Sequence, residues 1–582
     1  MNFKLAAILL LSSNIAFNSF AESTHNYFDN VESSRYTKDL PKYKDNNNRF
    51  DDEPIITIES FDLTGIQGLA EYDIQAESLE EICLKSLKEN NNRYSIDRLN
   101  KLTKLLTKHF RDQGLLLARV YIPEQNIKNN IVKFSMVKGI IEDIQSTQLE
   151  TSKNTSDLYH DSTLSRPFRS LIDKPSYRAD LESAMIRLGS YPGLKTETTF
   201  MPGNTQGNTK LNIQVAEQSK FNGFLTFDNF GSEYTGNYRV QAKGFINNIT
   251  GNADQLSLGL LATLNPTKSY YGSFGYEIPI EVFIEDSSMW SFLSPLFYNG
   301  YLFSTGVEQN TYSIGKELES LNIKGEATTY FYALSKPWLL NSRHKIRSQF
   351  QLDLKTASSQ QNGNLIAKDK LTVISLNNSY EFVDYLFNRA NTAFHFDIHQ
   401  GLESTLGSMS NGDSNSRLGE TTGYAPANFT KYNFEFSRLQ QVDSFQLLTK
   451  FNYQHSDDTL IALEQIALGG PYAVRGYTSA DYSADSAFQT TIELVGKSYA
   501  EKLSLPIDNL TAAVFLDYAI GWRNDALANE VDSSHLLAVG WYADFIKEEK
   551  FQTRMQMGFP LSKDKPVNGN SVQFFLSAQR RF

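Results

Sequence analysis

The sequence predicts a β-dominated protein, in which a transmembrane β-barrel of 16 strands follows two small α+β domains. Three observations support this prediction. From residue 221 onward, short segments alternate apolar with polar residues. Tyr and Phe number 30 and 39 among 582 residues, as the aromatic girdles of membrane barrels require. Residues 54–218 instead show a strand and helix pattern that occurs twice.

The composition narrows the classes of function. Apolar residues make up 40% and charged residues 21% of the chain, which argues against disorder and against a helical membrane protein. Lys and Arg number 55 against 66 Asp and Glu, and a net charge of −11 without a basic tract disfavours nucleic-acid binding. The single cysteine, Cys83, allows no intrachain disulfide and no cysteine-built metal site.

Residues 1–21 are predicted to form a secretory signal peptide. Lys4 supplies the positive start, and small residues at Ser19 and Ala21 suit signal peptidase. The apolar run between them is too short to span a bilayer as a helix. A buried N-terminal strand or helix is the alternative. Residues 22–53 are polar and poorly periodic, and we interpret them as a flexible arm or linker.

Two tandem α+β domains are predicted next, over residues 54–138 and 139–218. In the first, Ser95 is the expected N-cap of a helix that Gly114 ends. The predicted elements of the first domain are a strand at 55–61, helices at 79–88 and 96–113, and strands at 115–122 and 132–137. Those of the second are a strand at 140–144, helices at 164–171 and 177–188, and strands at 194–200 and 211–215. Two copies of one module suggest a docking arm.

Residues 219–582 are predicted to form the barrel. Leucines at 256, 258, 260 and 264 alternate with small and polar residues, and similar alternation recurs near 346–354, 394–399 and 572–582. A soluble β-sandwich is the alternative. The unbroken length, the aromatic content and the charged second face favour a membrane barrel. At about 22 residues for each strand with its connection, the segment accommodates roughly 16 strands.

The most distinctive string is LGGPYAVRGY at 468–477. Its glycines permit a tight backbone, and Arg475 is a lone cation among apolar and aromatic residues. By chemistry alone, this string is either a functional loop or a long surface hairpin.

This string resembles the VRGY/F signature of the outer-membrane superfamily that joins POTRA domains to a β-barrel. Other segments are similar to that superfamily in the expected order: YIPEQ at 121–125, MPG at 201–203, DNFG at 228–231 with Thr235, Gly236 and Arg239, and GNAD at 251–254. Two POTRA domains before the barrel resemble the two-partner secretion transporters (TpsB type, haemolysin activation/secretion proteins). The resemblance covers about residues 54–582.

The resemblance implies where the functional residues of the barrel lie. In the family, the VRGY loop folds back into the lumen, and the matching residues here are Val474, Arg475, Gly476 and Tyr477. The arginine pairs with the aspartate of an F-x-D-x-G motif, which is Asp517 here, and Ala519 replaces the final glycine. A buried guanidinium needs such a carboxylate. The alternative, by residue type alone, is that Asp517 is one more acid on the lumen face.

The resemblance also implies a partner-binding role for the first POTRA domain. Pro123, Glu124 and Gln125 match a family motif in the domain that helps to capture the N-terminal secretion domain of the exoprotein. Strand addition to an open sheet edge is the expected physical route. A plain turn is the alternative interpretation. The family often has a plug helix before this domain, but residues 22–53 show no clear amphipathic stripe.

The implied function is an outer-membrane pore for two-partner (type V) secretion. It would recognise a large haemolysin- or adhesin-like exoprotein and translocate it from the periplasm, where the POTRA domains lie, to the cell surface. The implied contacts are outer-membrane lipid and lipopolysaccharide, and the barrel assembly machinery during biogenesis. The alternative is a factor that inserts other barrels, which more POTRA domains would favour. A passive porin needs no periplasmic domains.

No catalytic, cofactor or metal site is predicted. His395, Asp397 and His399 invite a metal site, but two histidines four residues apart on a strand are about 13 Å apart, too far for one ion. We interpret them as a polar stripe facing the lumen. The sequence contains no P-loop, GxSxG, HExxH or CxxC motif, and no clustered nucleophile and base for a barrel-embedded hydrolase.

Overall fold

The computed structural model describes residues 54–67, 76–148, 159–205, 207–282, 300–504, 506–528 and 530–582. The described residues divide into two compact units, one ending at Gln218 and the other beginning at Ser219. The predicted signal peptide and the predicted arm lie outside the described residues.

The first α+β domain packs two helices against a three-stranded sheet. Its elements are β1 (Ile56–Thr57), β2 (Ser60–Thr64), α1 (Ala76–Glu89), β3 (Arg93–Tyr94), α2 (Ile96–Asp112), β4 (Arg119–Tyr121) and β5 (Ile131–Val137). In the sheet, β5 lies between β2, to which it is parallel, and β4, to which it is antiparallel. Helix α2 begins at Ser95, whose hydroxyl accepts a hydrogen bond from the Arg98 amide, as its N-cap position predicts.

The strand predicted at 115–122 is shorter than expected, since β4 covers three residues. The Leu115 amide donates to the Phe110 carbonyl and the Ala118 amide donates to the Leu115 carbonyl. These peptide groups are therefore used in the turn that follows α2 and cannot pair in the sheet.

The second α+β domain repeats this architecture. Its elements are β6 (Ile140–Gln148), α3 (Asp161–Ser165), a 3₁₀ helix (Arg166–Leu171), α4 (Arg178–Gly189), β7 (Leu194–Pro202) and β8 (Asn208–Gln218). The strand order is β6-β8-β7, with β6 parallel to β8. The two domains meet where the Arg178 amide donates to the Gly114 carbonyl over 2.7 Å. None of the described helices combines the length and the apolar character that a helix needs to cross a membrane.

Cys83 lies in the core of the first domain and is expected to be unreactive in the folded protein. Its side chain is 5% exposed, and burial, with Glu80 nearby, raises the pKa of its thiol to about 11. The thiolate fraction at neutral pH is then roughly two orders of magnitude below that of a free cysteine. We expect maleimide to label the native protein at least 100-fold more slowly than the urea-unfolded protein. Similar rates for the two states would contradict this packing.

The second unit is a closed antiparallel barrel of 16 strands, as the sequence predicts. The barrel strands are β9 (Phe221–Asp228), β10 (Tyr238–Asn247), β11 (Gln255–Leu264), β12 (Tyr270–Pro279), β13 (Leu302–Ser313), β14 (Ile323–Leu340), β15 (His344–Gln361), β16 (Asn364–Asp384), β17 (Ala390–Gly401), β18 (Thr430–Val442), β19 (Phe445–His455), β22 (Ser486–Gly496), β23 (Asn509–Trp522), β24 (Ser533–Lys547), β25 (Phe551–Pro560) and β26 (Gln573–Arg581). Two short strands, β20 (Ile466–Ala467) and β21 (Ser483–Ala484), pair with each other and do not belong to the barrel wall. The barrel closes where β26 pairs with β9.

The two faces of the barrel wall differ in the way that the sequence alternation predicts. On β11, Leu258 and Leu260 point outward, and they are 46% and 67% exposed on the surface that would meet lipid. On β15, Phe350 is outward and exposed, whereas Asp353 and Lys355, of opposite parity, point inward and are buried. The inner face therefore carries charge that must be balanced inside the lumen.

Candidate functional site: the inner loop and its contacts

Residues 456–485, which we call the inner loop, connect β19 to β22 and include β20 and β21. Successive strands alternate in direction from β9, so this loop lies at the end of the barrel opposite to the end where the chain enters from the α+β domains. Despite its position between strands, much of the loop is buried; Leu468 and Tyr477 have no exposed surface. Its tip, with the VRGY string, packs against the inner side of β22–β25.

Arg475 and Asp517, which the resemblance joined, lie together in the structure. Arg475 Nε donates to Asp517 Oδ2 over 2.8 Å and Nη2 donates to Oδ1 over 2.7 Å, so that the pair is bidentate. The Arg475 amide donates to the same carboxylate over 3.0 Å. Asp517 is 0% exposed, and the loop is thus fixed to β23 through both its backbone and its side chain.

A second carboxylate, Glu493 on β22, also contacts this arginine. Arg475 Nη1 lies 2.7 Å from Glu493 Oε1, and Tyr542 on β24 donates its hydroxyl proton to Glu493 Oε2 over 2.9 Å. The guanidinium carbon lies 3.5 Å from the centre of the Phe515 ring. Two acids and an aromatic face therefore compensate for the removal of one cation from water.

The remaining residues of the VRGY string fill an apolar contact between the loop and the wall. Val474 and Tyr477 belong to one buried cluster with Ala519, which stands where the family has glycine. The extra methyl group of Ala519 is fully buried there. The Tyr477 hydroxyl donates to the Asp564 carbonyl over 3.0 Å, so the loop also contacts the β25–β26 connection.

Gly476 lies where the loop backbone touches the wall. A Cβ on Gly476 would be 2.6 Å from the Ala538 Cβ, and a Cβ on Gly558 of β25 would be 2.0 Å from the Arg475 carbonyl oxygen. Both distances are shorter than side-chain atoms adopt, so glycine at these two positions allows the backbones to approach.

The first barrel hairpin carries a comparable ion pair. Arg239 on β10 donates to both oxygens of Asp228 on β9, over 2.7 and 3.1 Å, and both side chains are buried. The neighbouring Phe230 carbonyl accepts a hydrogen bond from Ser479 of the inner loop over 2.7 Å. The resemblance pointed to these segments, and the structure places them beside the inner loop.

The Pro123-Glu124-Gln125 segment follows β4 in the first α+β domain. Gln125 uses its side-chain amide as a substitute for a neighbouring strand, because it accepts from the Lys133 amide and donates to the Lys133 carbonyl, each over 2.8 Å. Glu124 is exposed. Gln125 therefore occupies backbone groups of β5 that a docking strand would otherwise use, whereas Glu124 is available for contacts.

The histidines considered as metal ligands lie on β17. His399 contacts Asn433, with its Nε2 atom 3.1 Å from Nδ2 of the amide. Within the described ranges, no three His, Cys, Asp or Glu side chains come together as metal ligands do.

Two further connections meet beyond the strands at the same end of the barrel as the inner loop. Asp525, between β23 and β24, accepts from the amides of Thr421 and Thr422 over 2.9 and 2.7 Å. Arg417, in the same 402–429 connection as the two threonines, pairs with Glu530 over 2.5 Å. Hydrogen bonds, first from the Thr422 hydroxyl, hold the pKa of the Asp525 carboxyl well below its ordinary value.

This contact between the 402–429 and 523–532 connections is expected to resist mild acid. Because the folded pKa of Asp525 is lowered, its contribution is complete above the ordinary pKa of about 4 and is lost as the pH falls through the folded value. Proteolysis of residues 402–429 is therefore expected to be unchanged between pH 7 and 5 and to accelerate only below about pH 4. Asp525→Asn should remove this acid transition. Acceleration between pH 7 and 5 would contradict the assignment.

Two small α+β domains followed along the chain by a closed 16-strand barrel, with a buried arginine loop in its lumen, define an outer-membrane transporter of the POTRA-plus-barrel class. Residues 207–541 match the family described as "Haemolysin secretion/activation protein ShlB/FhaC/HecB", and residues 58–139 match "POTRA domain, ShlB-type". The chain belongs to this haemolysin secretion/activation family. It is an outer-membrane β-barrel transporter of two-partner secretion, with its POTRA domains in the periplasm.

Individual relatives agree with this family. The heme/hemopexin transporter protein HuxB of Haemophilus influenzae is 24% identical over 503 residues, which cover 84% of this chain and 81% of HuxB. The hemolysin transporter protein HpmB of Proteus mirabilis is 22% identical over 455 residues, covering 75% of this chain and 71% of HpmB. The solved structure of CdiB from Escherichia coli superposes with a TM-score of 0.71 at 16% identity, over 97% of both chains, and shows the shared fold.

Proposed function

We propose that this chain recognises one large exoprotein, of the haemolysin or adhesin kind, and moves it from the periplasm to the cell surface. The observation that carries the proposal is the combination of two small α+β domains, the first of which matches a POTRA domain, with a 16-strand barrel whose inner face is polar. Barrels of about this size enclose a water-filled channel, which suits an unfolded polypeptide. HpmB is named as a hemolysin transporter, which supports this class of cargo.

In this proposal the exoprotein docks on the POTRA domains by adding a strand to a sheet edge. The edge strands of the two POTRA sheets are β2 and β4 in the first and β6 and β7 in the second. Pro123 and Glu124 contact the secretion domain of the exoprotein, and Gln125 keeps part of the β5 backbone closed to other strands. Side chains and sheet edges together then select the partner.

The inner loop is proposed to control the passage of the exoprotein through the barrel lumen. Val474, Arg475, Gly476 and Tyr477 hold its tip against the wall, with Asp517 as the anchoring acid. While the tip stays there, the loop fills part of the lumen, and the exoprotein passes after the loop has moved. No nucleotide site is predicted, and folding of the exoprotein outside the cell supplies the direction of transport.

The remaining parts of the proposal concern organisation and partners. The proposed limits are residues 1–21 for the signal peptide, 22–53 for the arm, 54–138 and 139–218 for the POTRA domains, and 219–582 for the barrel. The chain is proposed to act without catalysis and without a cofactor, to contact outer-membrane lipid and lipopolysaccharide, and to be inserted by the barrel assembly machinery.

An export assay separates this proposal from a role in barrel assembly. Cells of a Gram-negative host would express a large secreted protein encoded beside this chain, with or without the chain, and the medium and cell surface would be assayed. We expect export to require the chain while other outer-membrane barrels keep their normal levels. Unchanged export, together with a loss of other barrels when the chain is deleted from its natural host, would favour the assembly factor.

The docking residues can be tested in the same assay. Glu124→Ala is expected to lower export at least threefold with normal amounts of folded barrel, because Glu124 is an exposed side chain on the proposed docking surface. Glu81→Ala, which removes an exposed acid from α1, is the matched control. Equal export by the two variants would remove Glu124 from the docking surface.

A further inference from the structure

A second buried charge cluster joins the inner loop to other strands of the barrel wall than Arg475 does. Its centre is Glu464 of the inner loop, whose side chain has no exposed surface. Lys355 on β15 donates to Glu464 Oε1 and Lys431 on β18 donates to Oε2, each over 2.8 Å. Lys355 also lies 3.7 Å from Asp353, so the cluster contains two cations and two anions.

The backbone of the loop is held at the same position. The Glu464 carbonyl accepts from Lys431 Nζ over 3.2 Å and from the Gln454 side-chain amide of β19 over 3.1 Å. Glu464 is therefore bound through both its carboxylate and its peptide oxygen. This arrangement parallels that of Arg475, which is also bound through its side chain and its backbone.

The two clusters lie on different parts of the wall. Arg475 contacts acids of β22 and β23, whereas Glu464 contacts lysines of β15 and β18. In the closed barrel, β19 alone lies between β18 and β22, whereas β15 and β23 have five strands between them. The charges are also reversed, because the loop supplies the cation in the first cluster and the anion in the second.

We propose that Glu464 is a second anchor of the inner loop, which keeps the loop in the lumen when the Arg475 anchor is broken. Glu464 acts as a positioning residue, since it fixes the loop and not the exoprotein. The inference concerns the position of the loop alone. It does not depend on which protein is exported, and its test needs no exoprotein, so its failure would leave the proposed function standing.

The test measures exposure of the loop with a cysteine reporter. Ala480 in the inner loop is 5% exposed, and Ala480→Cys in a Cys83→Ser background gives one thiol for labelling by a membrane-impermeant maleimide on intact cells. Asp517→Asn breaks the first anchor, and Glu464→Gln is then added to break the second. We expect the double variant to be labelled at least tenfold faster than Asp517→Asn alone.

Asp353→Asn is the matched control, because it removes an acid from the same cluster without changing the inner loop. Added to Asp517→Asn, it is expected to leave the labelling rate unchanged. If Glu464→Gln has no effect in the Asp517→Asn background, or if Asp353→Asn has the same effect, the proposal is overturned. Heat-modifiable migration in electrophoresis confirms that each barrel is folded.

Glu464→Gln removes the carboxylate that neutralises two buried lysines, and such a barrel can fail to insert. A second variant covers that case. In the Asp517→Asn background, Lys355→Met and Lys431→Met are then combined with Glu464→Gln and Asp353→Asn, so that no unpaired charge of the cluster remains. This variant also lacks the anchor. It is compared with Asp517→Asn by the same labelling assay and the same criterion.

Discussion

Asp517→Ala is expected to free the tip of the inner loop and to lower export of the exoprotein at least tenfold, because a tip without a fixed position obstructs the lumen, whereas the anchored loop moves out of it as one unit. The substitution leaves the buried Arg475 guanidinium with Glu493 as its remaining charged partner. Breaking a buried ion pair by removing one partner typically costs about 3–5 kcal/mol, and the remaining acid places the cost near the lower limit. A cost of about 3 kcal/mol shifts the equilibrium between the seated and the released loop by roughly 100-fold toward the released loop.

The control for this prediction is Asp544→Ala. Asp544 on β24 forms a bidentate pair with Arg554 on β25, over 2.7 and 2.6 Å, and therefore joins two strands of the wall to each other. We expect Asp544→Ala to lower the thermal stability of the barrel with much less effect on export. An Asp517→Ala barrel that inserts normally and exports as well as the unchanged protein would refute the role of this anchor.

Gly558→Ala is expected to displace the loop without any change of charge. The new Cβ would lie 2.0 Å from the Arg475 carbonyl oxygen and 2.4 Å from its carbonyl carbon. Because the obstructing atoms belong to the backbone, no change of rotamer relieves the clash. Overpacking usually costs about 1–3 kcal/mol, and this site belongs at the upper end of that range. Export should fall, and the labelling of Ala480→Cys should become faster.

Gly244→Ala provides the matched control for the glycine variant. Gly244 is also a barrel-strand glycine, on β10, but a Cβ there would meet no atom within 4 Å. We expect this variant to behave as the unchanged protein in both assays. If Gly558→Ala and Gly244→Ala give the same labelling rates, close contact between the loop and β25 does not hold the loop in place.

The barrel was predictable because the membrane imposes a period of two on every strand. Leu258 and Phe350 show the lipid-facing parity, and Asp353 the lumen-facing parity, directly in the sequence. Local turn chemistry was harder to predict. The apolar segment after Gly114 has the composition of a strand, yet hydrogen bonds of Leu115 and Ala118 within the turn leave β4 only three residues.

The loop anchors show what the sequence does not reveal by itself. Asp517 was found through a motif, but Glu493 is one acid among many on lumen-facing strands, and its contact with Arg475 depends on the closure of the barrel. The burial of Glu464 could have been predicted from the sequence, since Glu464 is an acid within the apolar run LIALEQIAL. An acid in such a run is expected to be buried and paired. Its partners on β15 and β18 are more than 30 residues away along the chain.

The central claim, that the exoprotein passes through the lumen, is tested most directly by cross-linking during transport. In a Cys83→Ser background, Gln349→Cys places a thiol on the inner face of β15, and Phe350→Cys places one on the adjacent outward position, which is 52% exposed. The exoprotein would carry single cysteines and a fused, stably folded domain that stalls it in transit. We expect disulfide cross-links to Gln349→Cys and none to Phe350→Cys. Cross-links to Phe350→Cys alone, or equal cross-linking at both positions, would contradict passage through the barrel.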